Sequence, residues 1–369
     1  MNVKHLYLDT GKINPAAFQK RVIVWGAGKD GRKLLDSISG KARDMIVCFW
    51  DTNANVNHAN IDGIPIYPVE NWVFEDYNLV LAFSRWNEVQ DYLDTQEFNR
   101  GEVFADYPFL SDSVCKCIAC GGDCYEGKAH FAPFIQAREF GGNNPDTRLI
   151  MCRECGLVYS KYRPNDSEME RLYSGYRDME YFKSRHYYEP QYTEEINNMS
   201  LSPQSINSRR QGIIEFIKRK LDINDIHSVL DYGGDEGQMI PLEFSHASKT
   251  VFEVSGNSVQ SGIRLISDFT ELMKHTYDFI MCCHLLEHVS DPLQIVCNMF
   301  NVLTPDGSLY IEVPNENAYQ RYSDYEFHEH INFFGIDTLK IIGSRCGLKC
   351  IDFEESNVIK MLFEKNNLM

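Results

Sequence analysis

A chain of 369 residues has room for two or three domains, and 43% hydrophobic content supplies ordinary buried cores rather than a disordered polymer. A formal net charge of −17 argues against nucleic acid and against an anionic membrane surface, because neutralising phosphates needs clustered Lys and Arg. The opening segment MNVKHLYLDTGK has no apolar core of signal-peptide length, so a cytoplasmic chain is expected, whose twelve cysteines are reduced and need an explanation other than disulfides.

Residues 1–110 alternate strand and helix signals. RVIVWG, MIVCFWD and NLVLAFS are apolar runs of strand length, GRKLLDSI reads as the helix after a glycine loop, and IDGIPIYP is a turn leading into a short extended piece. The loop WGAGKDG satisfies G-x-G-x-x-G through Gly26, Gly28 and Gly31, and Asp51 ends the next strand where a dinucleotide fold keeps its ribose-binding carboxylate. The pattern breaks after about one mononucleotide half, however, which predicts a half-Rossmann domain. Its glycines then serve either helix–strand packing or a bound nucleotide portion.

Residues 111–163 change character. Cys117-Ile-Ala-Cys120-Gly and Cys152-Arg-Glu-Cys155-Gly are paired C-x-x-C-G units. Two thiolates at that spacing bite one tetrahedral ion, and the following glycine turns backbone N–H groups toward sulfur, so a closed, structural Cys₄ Zn²⁺ site in a small zinc ribbon is expected. Cys115 and Cys124 are nearby substitutes with poorer spacing. The 31 residues between the units exceed the usual ribbon spacing and predict an insertion. Residues 164–204, including RLYSGYRDMEYFKSRHYYEPQYTE, have weak periodicity and read as an aromatic arm, lid or linker.

From residue 205 to 369 the α/β signal returns. INSRRQGIIEFIKRKL has helical spacing, and SVLDYG, TVFEVS, YDFIMCC and SLYIEVP read as successive strands. DPLQIVCNMFNVL is a helix stopped by Thr304-Pro305-Asp306-Gly307, and IDTLKIIGSRC is another that ends at Gly347. LKCIDFEE and NVIKMLFEK then close an otherwise parallel sheet as an antiparallel hairpin.

The turn DYGGDEG carries Asp231, Asp235 and Glu236 around Gly233, Gly234 and Gly237. Such a turn repels a pyrophosphate, whereas S-adenosylmethionine has no phosphate and carries a sulfonium and an ammonium, which acids suit. Gly233 and Gly234 permit close backbone approach, and Gly237 is expected to open a helix. Glu253 is placed to accept the ribose hydroxyls and Asp268 to reach the adenine amine.

LDYGGDEG, the acidic strand end at Glu253, CCHLLEHVSDP and SLYIEVP resemble the successive motifs of class I S-adenosylmethionine-dependent methyltransferases. With the paired cysteines and the LYSGYR arm, the chain is similar to the zinc-ribbon methyltransferases that act on nucleotide sugars, including sugar C-methyltransferases. Those carry a further small Rossmann-like domain at the C-terminus, which residues 1–110 resemble at the front. Asp235 stands where the family keeps its middle glycine.

Methyl transfer to a hydroxyl or an enolisable carbon also needs a proton removed. YEFHEHINFF places His328, Glu329 and His330 just after the fifth strand's end, where ligands of open α/β sheets gather. The sugar C-methyltransferases have an active-site Glu-His pair that Glu329-His330 matches, with a tyrosine at the position of Phe327. The resemblance implies His330 as base, oriented by Glu329, and His288 of LLEHVSDP near the acceptor. The expected activity is thus methylation of a sugar, nucleotide-linked and bound for a surface glycan, with the missing tyrosine favouring oxygen over carbon. Two other classes stay open: a catalytically silent methyltransferase-fold scaffold, and a nicotinamide-dependent oxidoreductase using the first loop.

Overall fold

Valine- and isoleucine-rich runs between glycine turns fold, in the first part of the chain, into parallel β–α alternation. The structure, a computed structural model, describes all residues except 1–2, 7–12, 53–59, 70–76, 83–101, 106–108, 153, 200–201, 255–257, 317–324 and 367–369. The ends of the NLVLAFS and TVFEVS runs, Phe83, Ser84 and Ser255, lie outside the described residues. Two compact units emerge, one built mainly of Met1–Val114 and the other of Cys115–Cys124, Ala129–Glu316 and Glu326–Met369. The cysteine segment and the aromatic arm thus belong to the unit that holds residues 205–369 rather than forming units of their own.

In the first unit the strands are β1 (Val3–His5), β2 (Arg21–Trp25), β3 (Ile46–Trp50), β4 (Asn60–Ile61), β5 (Ile64–Tyr67), β6 (Tyr77–Leu81) and β7 (Val103–Ala105), with helices α1 (Lys29–Ser37) and α2 (Lys41–Asp44). They form a sheet of order β1-β7-β6-β2-β3-β5-β4, parallel apart from the β4–β5 pair. Gly31 is required by packing, since a Cβ there would lie 1.9 Å from the Gly26 carbonyl oxygen. Asp51, expected at a ribose, accepts a hydrogen bond from the Ala27 amide at 3.0 Å and so braces the glycine loop.

The chain continues through β8 (Phe109–Lys116), β9 (Asp123–Phe131), α3 (Pro133–Arg138), β10 (Arg148–Cys152) and β11 (Val158–Ser160). The aromatic stretch then folds as helices α4 (Asp166–Tyr173), α5 (Met179–Tyr188) and α6 (Glu194–Met199). A capping box between Asn165 and Glu168 starts α4, and the Asp178 side chain caps α5. Helix α7 (Pro203–Ile217) follows. Next come β12 (Ser228–Tyr232), β13 (Ser248–Phe252), β14 (Arg264–Ile266), α8 (Phe269–Leu272), β15 (Tyr277–Cys283), α9 (Pro292–Asn301) and β16 (Leu303–Pro314). The short β17 (Tyr325–Phe327) and β18 (Asn332–Phe333) precede α10 (Ile336–Arg345), β19 (Leu348–Glu355) and β20 (Val358–Lys365).

The main sheet has the order β14-β13-β12-β15-β16-β20-β19. Its first five strands run parallel and β20 pairs antiparallel with both β16 and β19. Ile213, Phe216 and Ile217 of α7 cover one face, and Val296, Met299, Leu339 and Ile342 of α9 and α10 cover the other. A smaller sheet of order β17-β9-β10-β11-β18 carries the cysteine segment.

Three expectations change. Gly237 opens no α-helix; turns follow it, then a 3₁₀ segment over Leu242–His246 that is kinked at Phe244. The backbone there is left-handed at Asp235 (φ 52°) and Gly237 (φ 77°), and Pro241 lacks the N–H a continuing helix needs. Thr304–Gly307, expected as the stop of α9, instead lies inside β16 as a bulge, so that Tyr277 pairs with Leu303 but Phe279 with Ser308. Cys297 on α9 and Cys346 at the end of α10 form a disulfide with their Cα atoms 5.0 Å apart, correcting the expectation that every thiol is reduced.

Candidate functional site

Strand order reverses between β12 and β15, and the crevice beyond the carboxyl ends of these two strands is where an open α/β sheet gathers ligands. Of the residues expected from the sequence, Asp231 lies in β12 itself and the loops that leave these strands carry Gly233, Gly234, Gly237 and His288. After β12 the chain turns at once: the Gly233 amide donates to the Phe252 carbonyl at 2.9 Å, and Gly233 is left-handed at φ 73°. Asp231 is 1% exposed, with its side chain folded under the turn. A Cβ on Gly234 would lie 2.3 Å from the Asp231 carboxyl carbon, so the glycine is there to admit that carboxylate.

Burial pushes the Asp231 carboxyl up to about 7, against the pull of Arg209. Its Oδ2 is buried and accepts no hydrogen bond from the described residues. An orphaned carboxylate oxygen of this kind calls for a cationic N–H donor, and the ammonium of S-adenosylmethionine is one, so the residues present fit that molecule. Glu253, just past β13, accepts from the Asp235 amide at 3.2 Å and the Val254 amide at 2.9 Å, which holds its carboxylate against the glycine turn. Asp268 caps α8 through the Thr270 amide at 2.7 Å, a structural task beside the one expected of it at the adenine.

Behind the loop after β15 lies a buried chain of charges. His284, left-handed at φ 54°, touches Glu287 at 3.1 Å and Glu312 at 3.2 Å, and Tyr310 donates to Glu312 at 2.6 Å. Burial works against the charged imidazole, but the two carboxylates outweigh it and lift His284 to about 9.

The loop after β15 and the segment after β17 are laced together. Ile331 and Asn332 donate their amides to the Glu287 carbonyl at 2.9 and 3.0 Å, and the Asn332 side chain donates to the carbonyls of Leu286 and Val289. The Arg163 guanidinium donates to the Val289 and Ser290 carbonyls and to Asn332 Oδ1. This lacing sets His288 and His330 edge to face, with ring centroids 4.7 Å apart.

The partners of these histidines differ from those expected. His330 Nδ1 lies 2.9 Å from Glu316 Oε2. The Glu329 carboxylate, expected to orient His330, instead accepts from Tyr181 at 2.8 Å and from the Arg185 guanidinium. Burial raises that carboxyl, yet Arg185 and the Tyr181 hydroxyl pull it below its ordinary range, so it is ionised and engaged. Its backbone carbonyl accepts from His288 Nδ1 at 3.1 Å, and the Tyr173 hydroxyl lies 2.6 Å from the same nitrogen. His328 faces Glu189 at 3.2 Å. Tyr173, Tyr181, Arg185 and Glu316 are thus site residues the motifs did not reveal. The arm's tyrosines and its N-cap signals were visible, but nothing in sequence ties α4 and α5 to a loop more than a hundred residues on.

The four cysteines of the paired knuckles come together, with their sulfurs within 4.8 Å of one another. Cys117 and Cys155 sulfurs are 3.7 Å apart and those of Cys120 and Cys152 3.3 Å. Four thiolates at about 2.3 Å from one tetrahedral Zn²⁺ would be about 3.8 Å apart, so the donor set fits that ion. Amides of Ala119, Gly122, Glu154 and Cys155 point at these sulfurs at 3.3–3.4 Å, as the glycine-terminated knuckles lead one to expect. β9, α3 and β10 fill the interval between the two pairs. Cys124 stands beside the Tyr159 hydroxyl at 3.7 Å.

Residues 185–352 match the family model of a methyltransferase domain. Among curated proteins the chain is 35% identical over 52 residues to a ubiquinone biosynthesis O-methyltransferase of Neisseria meningitidis serogroup C, covering 14% of this chain and 22% of that protein. It is 28% identical over 64 residues to the ubiquinone biosynthesis O-methyltransferase of Photobacterium profundum, covering 17% and 27%. The chain thus spans about a fifth to a quarter of the length of these relatives. Among solved structures, the mitomycin 7-O-methyltransferase MmcR is similar at 15% identity with a TM-score of 0.35, over 50% of this chain and 60% of that one. The N-terminal domain of EvdMO1 with S-adenosylhomocysteine bound is similar at 14% identity with a TM-score of 0.31, over 45% and 82%. Among the described residues no helix is long and apolar enough to cross a membrane.

Proposed function

From a methyltransferase domain of the S-adenosylmethionine-dependent kind over residues 185–352, we propose that the chain methylates a sugar, nucleotide-linked and destined for a surface glycan, with oxygen favoured over carbon as the acceptor atom. Support for oxygen comes from the O-methyltransferase names of the relatives and from Phe327 standing where the sugar C-methyltransferases keep a tyrosine. The observation that carries the reading is the buried, unpartnered Asp231 Oδ2 under Gly234, at the reversal point of the sheet.

S-adenosylmethionine, when bound, supplies an electrophilic methyl on sulfur. Asp231 holds its ammonium, the Gly233–Gly234 turn admits its amino-acid end, and Glu253 and Asp268 mark the side of the ribose and adenine. The acceptor lies at the His288–His330 pair, where its proton is lost; Glu329, tied to Tyr181 and Arg185, fixes the aromatic arm beside that pair. Holding the reacting atoms in line accounts for much of the acceleration and acid–base assistance for roughly 10²–10⁴-fold. We further propose that the Cys117–Cys120–Cys152–Cys155 set holds a structural Zn²⁺, that the chain works in the cytoplasm, and that it binds neither nucleic acid nor membrane.

The test is a panel of nucleotide sugars incubated with isotopically labelled S-adenosylmethionine and read by mass spectrometry, with wild type and His330→Ala side by side. Label should enter one sugar with wild type, and His330→Ala should transfer at least about tenfold more slowly while binding the cofactor equally well. Label in no sugar sinks the acceptor assignment, and full activity of His330→Ala sinks the role of the histidine pair.

A further inference from the structure

Glu287, His288 and His330 offer one ligand atom each within 4.8 Å of one another, outside the cysteine cluster. Three further features prepare them for an ion rather than for mutual hydrogen bonding. First, one nitrogen of each ring is already engaged. His288 Nδ1 lies 3.1 Å from the Glu329 carbonyl and 2.6 Å from the Tyr173 hydroxyl; the carbonyl only accepts, so a proton on Nδ1 satisfies it, with the hydroxyl oxygen as a second acceptor, and leaves the lone pair on Nε2. His330 Nδ1 lies 2.9 Å from the Glu316 carboxylate, which fixes its proton in the same way. A carbonyl behind one imidazole and a carboxylate behind the other is the outer shell that metal-ligating histidines use.

Second, Glu287 is 1% exposed, and its Oε2 is buried with no hydrogen-bond partner among the described residues. Its Oε1 is held by His284 at 3.1 Å, while His288 Nε2 stands off at 3.9 Å, beyond hydrogen-bond range. A buried carboxylate oxygen left bare costs free energy unless something binds it. Third, the three residues cannot drift apart, because the Glu287 carbonyl accepts the amides of Ile331 and Asn332 next to His330.

We propose that Glu287, His288 and His330 bind a divalent cation at the acceptor end of the site. Two imidazoles and one carboxylate make a donor set of borderline softness that suits Mn²⁺, Fe²⁺, Co²⁺ or Zn²⁺ over Mg²⁺ or Ca²⁺, and three protein ligands leave open positions for an acceptor oxygen. His330 then serves as a ligand instead of the base expected from sequence. An acceptor hydroxyl bound to the ion releases its proton to water, and the resulting oxygen takes the methyl as the S–CH₃ bond breaks and the sulfur keeps the electron pair. This last step rests on the methyltransferase reading; the cation site itself does not.

Mn²⁺ separates the two sites, since it favours nitrogen and oxygen donors and leaves a zinc-loaded Cys₄ set alone. Titration of the zinc-loaded full chain, followed by the EPR signal of free Mn²⁺, should show one bound ion per chain. Glu287→Gln and, independently, the outer-shell Glu316→Gln should each weaken binding tenfold or more while the thermal midpoint stays within a few degrees. No bound Mn²⁺, or equal binding by wild type and Glu316→Gln, overturns the proposal. A chain that binds Mn²⁺ but gives no calorimetric signal with S-adenosylmethionine keeps the cation site and removes the methyltransferase reading instead. A metal-stripped chain with unchanged methyl transfer and cofactor binding leaves methyl transfer standing and overturns the ion's role in it.

Discussion

Asp231 shows how much one position can decide. On the proposed reading its carboxylate meets a cationic cofactor, but it is expensive to keep charged in an apo chain, and burial lifts it to about 7. A raised carboxyl binds its proton more tightly folded than unfolded, so the apo chain loses stability as pH rises from about 4 through 7. Cofactor binding has the opposite dependence, because only the ionised form attracts an ammonium. Affinity for S-adenosylmethionine should therefore strengthen as pH goes from 6 to 8, with a proton released on binding near pH 7, and Asp231→Asn should bind weakly with a flat profile. Calorimetry in two buffers of different ionisation enthalpy checks this; a pH-independent wild type contradicts it. The glycine motif and Asp231 were readable from sequence because sterics and charge act within seven residues. The partner of Glu329 was not, since Tyr181 and Arg185 reach it from 148 and 144 residues away.

Among the elements, the cysteine knuckles were the most legible, because two C-x-x-C-G units prescribe their own local turn. What sequence left hidden is their attachment. Thr338 of α10 donates to the Cys155 carbonyl at 2.6 Å, Arg345 donates to the Ala119 carbonyl, and Cys117, Cys152 and Cys155 belong to the same apolar core as Leu339 and Ile342. The knuckles are therefore a wall of the larger unit, and losing the proposed ion should weaken that unit and not only a ribbon. Stripping zinc, or Cys152→Ser, should lower the calorimetric midpoint of the main transition by at least about 5 °C. A main transition that stays in place, with only a small separate one lost, would make the knuckles an independent module. One helix expectation failed where backbone chirality overrode pattern: the stretch after Gly237 reads as an α-helix, but left-handed Asp235 and Gly237 followed by Pro241 leave turns and then a kinked 3₁₀ segment.

For the whole molecule, strand periodicity and strand count foretold the parallel main sheet and its closing antiparallel hairpin, both of which follow from local apolar runs and short turns. The division into units was less visible, because the cysteine segment and the arm differ in composition from the residues they pack with. The first unit keeps a glycine loop whose Gly31 and Asp51 are occupied in holding the loop itself, which favours packing over cofactor binding as the reason for the motif. Both glycine loops, then, are explained by what sits against them: a carbonyl in the first, a buried carboxylate in the second. On the proposed reading, that contrast puts the cofactor at the second loop alone. Calorimetric titration of the zinc-loaded full chain with S-adenosylmethionine and, separately, with NADH tests the assignment most directly. One equivalent of S-adenosylmethionine should bind, lost in Asp231→Asn, with no heat from NADH; silence with S-adenosylmethionine, or saturable binding of NADH in its place, would contradict it.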